Sequence, residues 1–392
     1  MKLGLVTGEF PPMQGGVGDY THELARALAA LDVEVHVITD VRCKDAHLPP
    51  STFHLHPVIR RWSFASLFHI RSHAQSLNLQ LLNIQYQAAA YGLSAPIHVL
   101  PNVAGVKTVV TFHDLRIPYL FPKAGRLREA AVTHLARSAS GVIVTDPADE
   151  SELRRRGGVK RLAQIPIGSN IAPLEDPRSE AEGKPPPGYD RAAWRTRMGV
   201  APNEFLLGHF GFLNESKGGD TLIGALSALV SRKAKVKLAL IGGQAGTSDA
   251  ASNEAFSAEI EKLIARYDLN DRILRTGFVD APDVSAHLMA CDAVVLPYRD
   301  GVSFRRGSFM AALAHGCPVI TTHPATPLPE LRDGVNVRLV PPESASAIVL
   351  AVTELLDAPE LRARLGQGAH ALSALFRWET IAGKTLEFLQ SV

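Results

Sequence analysis

The sequence predicts an α/β protein built as two doubly wound domains in series, and three observations carry that prediction. At 392 residues the chain is too long for one ordinary core, given about 100–200 residues per domain. Short apolar, β-rich runs alternate with amphipathic helical patterns, as expected of parallel strands covered on both faces. The alternation stops near residue 170, where "APLEDPRSEAEGKPPPGYD" brings prolines and charges, and then resumes.

The first series runs "KLGLVTG", "GDYTHELARALAAL", "VEVHVIT", "LQLLNIQY", "KTVVTFHD", "LREAAVTHLARSAS" and "GVIVT". It closes on "TDPADESELRRRG", where Asp146 is placed to cap a helix and Pro147 to occupy its first position. Residues 1–170 thus read as one domain and 171–200 as a linker or exposed excursion. A second domain over 201–374 repeats the pattern with "EFLLGHFG", "GDTLIGALSALVSR", "VKLALIGG", "NEAFSAEIEKLIARYDL", "RILRTGF", "DVSAHLMAC", "DAVVLP", a helix beginning near Gly307, "PVITT" and "NVRLVPP". No short repeat is present, and the halves share only architecture.

Apolar residues make up 46% and charged residues 20%, which fits a soluble globular chain rather than a disordered or fibrous one. A net charge of +2 is too small to make nucleic acid the main partner. Residues 1–170 carry 18 Lys+Arg against 13 Asp+Glu and ten of the 15 histidines, whereas 201–392 carry 18 against 21. The first half is therefore the one more suited to an anionic substrate or surface. Cys43, Cys291 and Cys317 lack metal-ligand spacing and fit a reducing cytoplasm. No signal peptide is expected, nor any apolar segment of the roughly 18–20 residues that span a bilayer. Residues 58–73, "VIRRWSFASLFHIRSH", mix aromatic and basic side chains. They read either as an interfacial helix on an anionic inner membrane surface or as a helix packing its aromatics inward.

Several turns at strand ends carry chemistry. In "GEFPPMQGGVGDY" the glycines, Gly15 and Gly16 among them, free backbone N–H groups to cradle a phosphate or sugar, although a merely structural turn fits the motif equally well. His113 and Asp114 end a strand, where an imidazole can bond a ligand hydroxyl and the acid can fix its ring. Lys217 lies in a glycine-flanked turn before a helix, a position suited to neutralising a diphosphate. In "PYRDGVSFRRGSFMAALAHGCPV" the adjacent Arg305 and Arg306 stand where a helix opens. Exposed N–H groups and the helix dipole disfavour cations there unless an anion is present, so the turn reads as an anion site.

Taken in order, "EFPPMQGGVGDYTHELARALAAL", "VVTFHD", "IPIGSN", "GFLNESKGGDTLIGAL", "LALIGG", "RILRTGFV", "ACDAVVLP", "AALAHGCPVITT", "LPELRDGVNVRLVPP" and "FRWETIAGKTLEFL" resemble the retaining GT-B glycosyltransferases of family 4 type. The resemblance implies two Rossmann-like domains facing across a cleft, with the donor nucleotide sugar on the second and the acceptor on the first. It also implies a last helix, residues 375–392, that crosses back to the first domain, and transfer with retention at the anomeric carbon without an obligatory metal or other cofactor. In this family an Arg and a Lys meet the leaving diphosphate. Lys217 matches the lysine, while Phe212 stands at the arginine position.

The family's pair of glutamates eight positions apart aligns with Ser303 and Ala311, so both carboxylates are missing. We expect the clamp to be rebuilt from Arg305 and Arg306 beside Gly307 and Ser308, since guanidinium bonds to phosphate contribute roughly 1.5–3 kcal/mol each. The competing arrangement is that the arginines face solvent or pair with Asp300. On this expectation Lys217, Arg305, Arg306 and N–H groups near Gly307 and Gly16 stabilise the departing nucleotide, and His113 borders the sugar. Asp300 or Ser303 holds sugar hydroxyls, Glu330 serves the nucleotide end, and Tyr20 and Asp114 face the acceptor. The partners are then a nucleoside-diphosphate sugar and a glycan, lipid-linked or small-molecule acceptor. A nucleotide-sugar epimerase and a catalytically silent glycan- or partner-binding protein remain the alternatives.

Overall fold

Each predicted apolar run that the structure describes becomes a strand, and the strands assemble into two all-parallel sheets. This computed structural model describes residues 1–13, 15–44, 53–115, 125–174, 189–211, 213–242 and 250–392. Phe212 and residues 175–188 of the expected excursion lie outside the described residues. The chain divides into two compact units, residues 1–170 with 376–392 and residues 171–375.

In the first unit the strands are β1 (Lys2–Thr7), β2 (Glu34–Asp40), β3 (His54–Ile59), β4 (Leu81–Tyr86), β5 (Lys107–Phe112), β6 (Gly141–Val144) and β7 (Leu162–Gln164). Their order in the sheet is β3-β2-β1-β4-β5-β6-β7. Strands β1, β4 and β6 are almost wholly buried; β1 and β6 accordingly read as near-continuous apolar runs, whereas β4 also buries Asn83 and Gln85. The helix Gly16–Ala29 and the last helix, Trp378–Ser391, cover one face together. Leu24, Leu28, Trp378, Ile381 and Leu389 share a core cluster there with Leu3, Leu5 and Val37. Trp378 is fixed further by donating its Nε1–H to the Ser169 carbonyl at 2.6 Å. Asp146 caps the helix Pro147–Arg156 as its sequence predicts, accepting from the Ala148 amide at 2.8 Å.

In the second unit β8 (Phe205–Phe210), β9 (Val236–Ile241), β10 (Ile273–Arg275), β11 (Ala293–Leu296), β12 (Val319–Thr322) and β13 (Arg338–Val340) form a sheet of order β10-β9-β8-β11-β12-β13. Both orders reverse direction beside the first strand of the unit, between β1 and β4 and between β8 and β11. In open α/β sheets that reversal leaves a crevice beyond the strand C-terminal ends.

Two stretches differ from their expected form. Residues 189–200 contain a helix, Arg191–Arg197, docked on the second unit: Arg191 and Arg195 both reach Asp292, at 2.7 and 3.0 Å. The single interfacial helix expected over 58–73 is instead the end of β3, a turn and a helix at Phe64–Ser76. Pro57 cannot donate a hydrogen bond, and it is tolerated because β3 is the sheet edge. No described helix is long and apolar enough to cross a membrane.

Candidate functional site

The second unit brings together two turns that are remote in sequence. The turn after β8 spans Gly211 to Gly218. The turn after β11 leads through Pro297 to the helix Gly307–Ala314. Because β8 and β11 are neighbours, both turns border the crevice of this sheet. Gly218 has φ +65°, and a Cβ there would lie 2.1 Å from the Pro297 carbonyl oxygen, so only glycine allows so close an approach. The Arg299 amide donates to the Ser216 carbonyl at 3.0 Å, and the Arg299 guanidinium reaches Glu215 and Asp220, each at 2.7 Å. Sequence reasoning passed over this arginine.

Lys217 is half-buried between the two turns. Its ammonium lies over Gly211, 2.5 Å from where a Cβ would project. Burial, together with the nearby Arg306 charge, lowers its pKa to about 8. Arg306 caps the Gly307–Ala314 helix in position only, since its own side chain makes no capping hydrogen bond. Its guanidinium lies 4.6 Å from the centre of the Tyr298 ring and forms an ion pair with Asp300. Tyr298 is fully buried, and its hydroxyl shares a 2.8 Å hydrogen bond with Ser308 Oγ, so ring, serine and guanidinium form one supported stack. Sequence spacing gave no sign of Tyr298.

The anion inferred for this turn is thus supplied in part by the chain. Asp300, expected to hold sugar hydroxyls, is committed to Arg306. Arg305 and Gly307 are half-buried beside it. Ser303 is also half-buried, and its carbonyl accepts from the Arg306 amide at 3.2 Å. Ala311, aligned with one missing glutamate, is fully buried. Glu330 is exposed in the loop after β12, and Asn336 pins that loop by donating to the Glu330 carbonyl at 2.8 Å.

In the first unit the expected cradle at Gly15 and Gly16 is corrected. The Glu9 carboxylate occupies it, accepting from the amides of Val17 at 3.0 Å and Gly18 at 3.3 Å. An incoming diphosphate would meet a carboxylate where free N–H groups were expected. Burial pushes the Glu9 pKa up, against the effect of those two bonds. Asp19, one turn on, has its pKa raised to about 6 by burial, with the neighbouring Glu9 charge adding to the rise and a 3.0 Å bond from Asn170 opposing it. The sequence motif gave no reason to single out either acid.

His113 lies at the end of β5, where its Nε2–H donates to Gln85 Oε1 at 3.0 Å. Burial lowers its pKa to about 3, so it is neutral at physiological pH and its Nδ1 is the acceptor atom. Tyr20, expected to face the acceptor, is instead a buried wedge only 5% exposed. Its ring meets the His113 ring edge-on at 4.6 Å and the Trp378 ring at 5.2 Å. Asp114 is half-buried beside His113.

Comparisons with known proteins agree with this architecture. Residues 15–168 match the glycosyl transferase 4-like domain, and residues 204–358 match the glycosyl transferases group 1 family. The chain is similar to D-inositol 3-phosphate glycosyltransferase of Arthrobacter sp. (strain FB24), at 24% identity over 405 residues, covering 95% of this chain and 89% of the relative. Among solved structures it is similar in fold to sucrose-phosphate synthase from Thermosynechococcus elongatus, with TM-score 0.75 and 21% identity, covering 100% of this chain and 98% of the other. It is likewise similar to Anabaena HepE in complex with UDP, with TM-score 0.75 and 21% identity over 100% of both chains. Two parallel sheets of this order, with both halves matched to the same enzyme class, place the chain in the family 4 type of the group 1 glycosyltransferases, with the GT-B fold.

Proposed function

We propose that this glycosyltransferase moves a hexosyl unit from a nucleoside-diphosphate sugar to a hydroxyl acceptor with retention of anomeric configuration. The observation that carries this reading is the position of Lys217. Its ammonium is held where burial and Arg306 both oppose its charge, at the switch point of the second sheet. An anion relieves both penalties at once, and a departing diphosphate is the anion that glycosyl transfer generates. Lys217, Arg305 and Arg306 then meet its oxygens, together with the first-turn amides of Gly307 and Ser308. Asp300 holds the Arg306 fork in place.

The neutral His113 accepts a hydrogen bond from a sugar hydroxyl through Nδ1, while Gln85 and the Tyr20 ring fix its orientation. No carboxylate nucleophile is required, because the leaving phosphate takes the acceptor proton on the face it vacates. The solved HepE complexes contain UDP and UDP-glucose, which supports a nucleotide-sugar donor here. The acceptor is a glycan, a lipid-linked saccharide or a small molecule. Phe64 and Phe68 are 64% and 60% exposed, and Arg60, Arg61 and Arg71 are exposed beside them, an arrangement suited to peripheral contact with an anionic membrane surface.

A panel of α-linked nucleotide sugars, incubated with and without acceptor extracts, tests the reading. Nucleotide release should rise with acceptor, and proton NMR of the product should show an α-glycoside. A β-glycoside overturns retention. Donor isomerisation without release supports an epimerase instead, and silence across the panel supports a binding protein.

A further inference from the structure

Away from the turns described above, the first unit gathers histidines at the opposite end of its sheet. The turns beyond Thr7 and Phe112 follow strand C-terminal ends, whereas Glu34 opens β2 and His54 opens β3. His36 and His54 are direct register partners on these neighbouring parallel strands. The two-residue alternation of a strand puts Glu34 on the same face as His36, and His56 on the same face as His54. The His36 and His54 rings stack with centroids 4.7 Å apart and planes 23° apart. One nitrogen from each ring and one Glu34 carboxylate oxygen lie within 4.8 Å of one another.

Two imidazoles and a carboxylate form a donor set suited to first-row transition metals rather than to magnesium or calcium, which prefer all-oxygen shells. Bond lengths of about 2.0–2.2 Å to a tetrahedral ion require donor atoms roughly 3.3–3.5 Å apart. His36 Nε2 and Glu34 Oε1 are already 3.2 Å apart. Glu34 and His54 are exposed, so their side chains have room to close the remaining distance. His36 is 5% exposed and oriented from behind, its Nδ1 lying 3.0 Å from His56 Nε2. A proton on Nδ1, shared with His56, leaves the Nε2 lone pair directed at Glu34, the usual second support of a metal-bound imidazole. Lys2 also contacts Glu34 at 2.8 Å, but both partners of this ion pair are exposed, so displacing it costs little.

We propose that Glu34, His36 and His54 bind a divalent transition metal of the zinc class. The ion would clip the edge strand β3 to β2 and would be separate from glycosyl transfer.

The test uses the full-length chain without an affinity tag, stripped with a chelator. It is titrated with Zn²⁺ by calorimetry and with Co²⁺ by visible absorption, and melted with and without Zn²⁺. One equivalent should bind, Co²⁺ should develop ligand-field bands, and Zn²⁺ should raise Tm while Mg²⁺ at the same concentration does not. His54→Ala and Glu34→Gln change exposed side chains, so both should fold as the parent does by circular dichroism. They should bind Zn²⁺ at least tenfold more weakly, lose the Tm increase and keep the parent rate of donor turnover. Absence of Co²⁺ bands, or Zn²⁺ affinity unchanged in both variants, overturns the site. Loss of turnover in the folded variants overturns its separation from transfer.

Discussion

Lys217 carries a charge that its surroundings oppose, and that gives the residue a pH signature. With its pKa near 8, the free enzyme loses the ammonium as pH rises through that value. If the ammonium meets the diphosphate, kcat/KM falls on an alkaline limb near pH 8. Lys217→Arg should push that limb upward, because a guanidinium stays protonated. Lys217→Ala should lower kcat by about 10²–10³-fold, the loss expected of one preorganised electrostatic donor. A pH–rate series on the three proteins measures both effects. Asp19 gives a stability signature instead. Its folded-state pKa of about 6 lies above the ordinary aspartate value, so its contribution favours the fold at low pH and is lost as pH rises through 6. Asp19→Asn removes the penalty while keeping an oxygen for Asn170. The variant should be more stable than the parent by about 1–2 kcal/mol at pH 8, with no advantage at pH 4, as read from urea unfolding at the two values.

At the level of elements, the helix Phe64–Ser76 departs most from ordinary amphipathic design. Its buried side is formed by Leu67, Ile70 and Ala74, yet Phe64 and Phe68 project outward one turn apart. Replacing both with serine should abolish co-sedimentation with anionic vesicles, and raising the salt should weaken binding of the parent, since the flanking arginines supply the electrostatic part. Equal sedimentation of the two proteins would remove the membrane contact. This helix also illustrates what a sequence makes legible. Buried strands such as β1, β6 and β11 stand out because burial on both faces favours near-continuous apolar runs. The edge strand β3 does not, because two histidines and a proline interrupt "HLHPVI", and an edge strand needs only one paired edge. The site is divided in the same way. Lys217, Arg305 and Arg306 are visible because glycines and charges mark their turns. Glu9 is not, because its role depends on where the chain folds back over the helix start, and Tyr298 acts through a stack joining residues that no periodic pattern relates.

At the scale of the whole molecule, the chain leaves its first unit after Asn170 and returns to it at Phe376. The last seventeen residues are therefore structural members of a unit whose strands end some two hundred positions earlier. Trp378 is 2% exposed, and Ile381 and Ala382 are fully buried against the layer formed by Leu24, Leu28 and Val37. Large aromatic side chains removed from such cores cost about 3–5 kcal/mol, so deleting the whole helix removes several such contributions together. A chain ending at Leu375 should lose hydrogen-exchange protection first in β5 and β6, where the end of this helix meets Lys107 and Gly141. Protection in β8, β9 and β11 should persist, because their core is built from the helices Gly219–Ser231 and Ala345–Asp357. The milder Trp378→Phe separates packing from hydrogen bonding, since it keeps most of the ring but cannot donate to the Ser169 carbonyl. It should accelerate exchange in the same two strands by a smaller factor. Uniform acceleration across both sheets in the truncated chain would show that the helix stabilises more than the unit into which it packs.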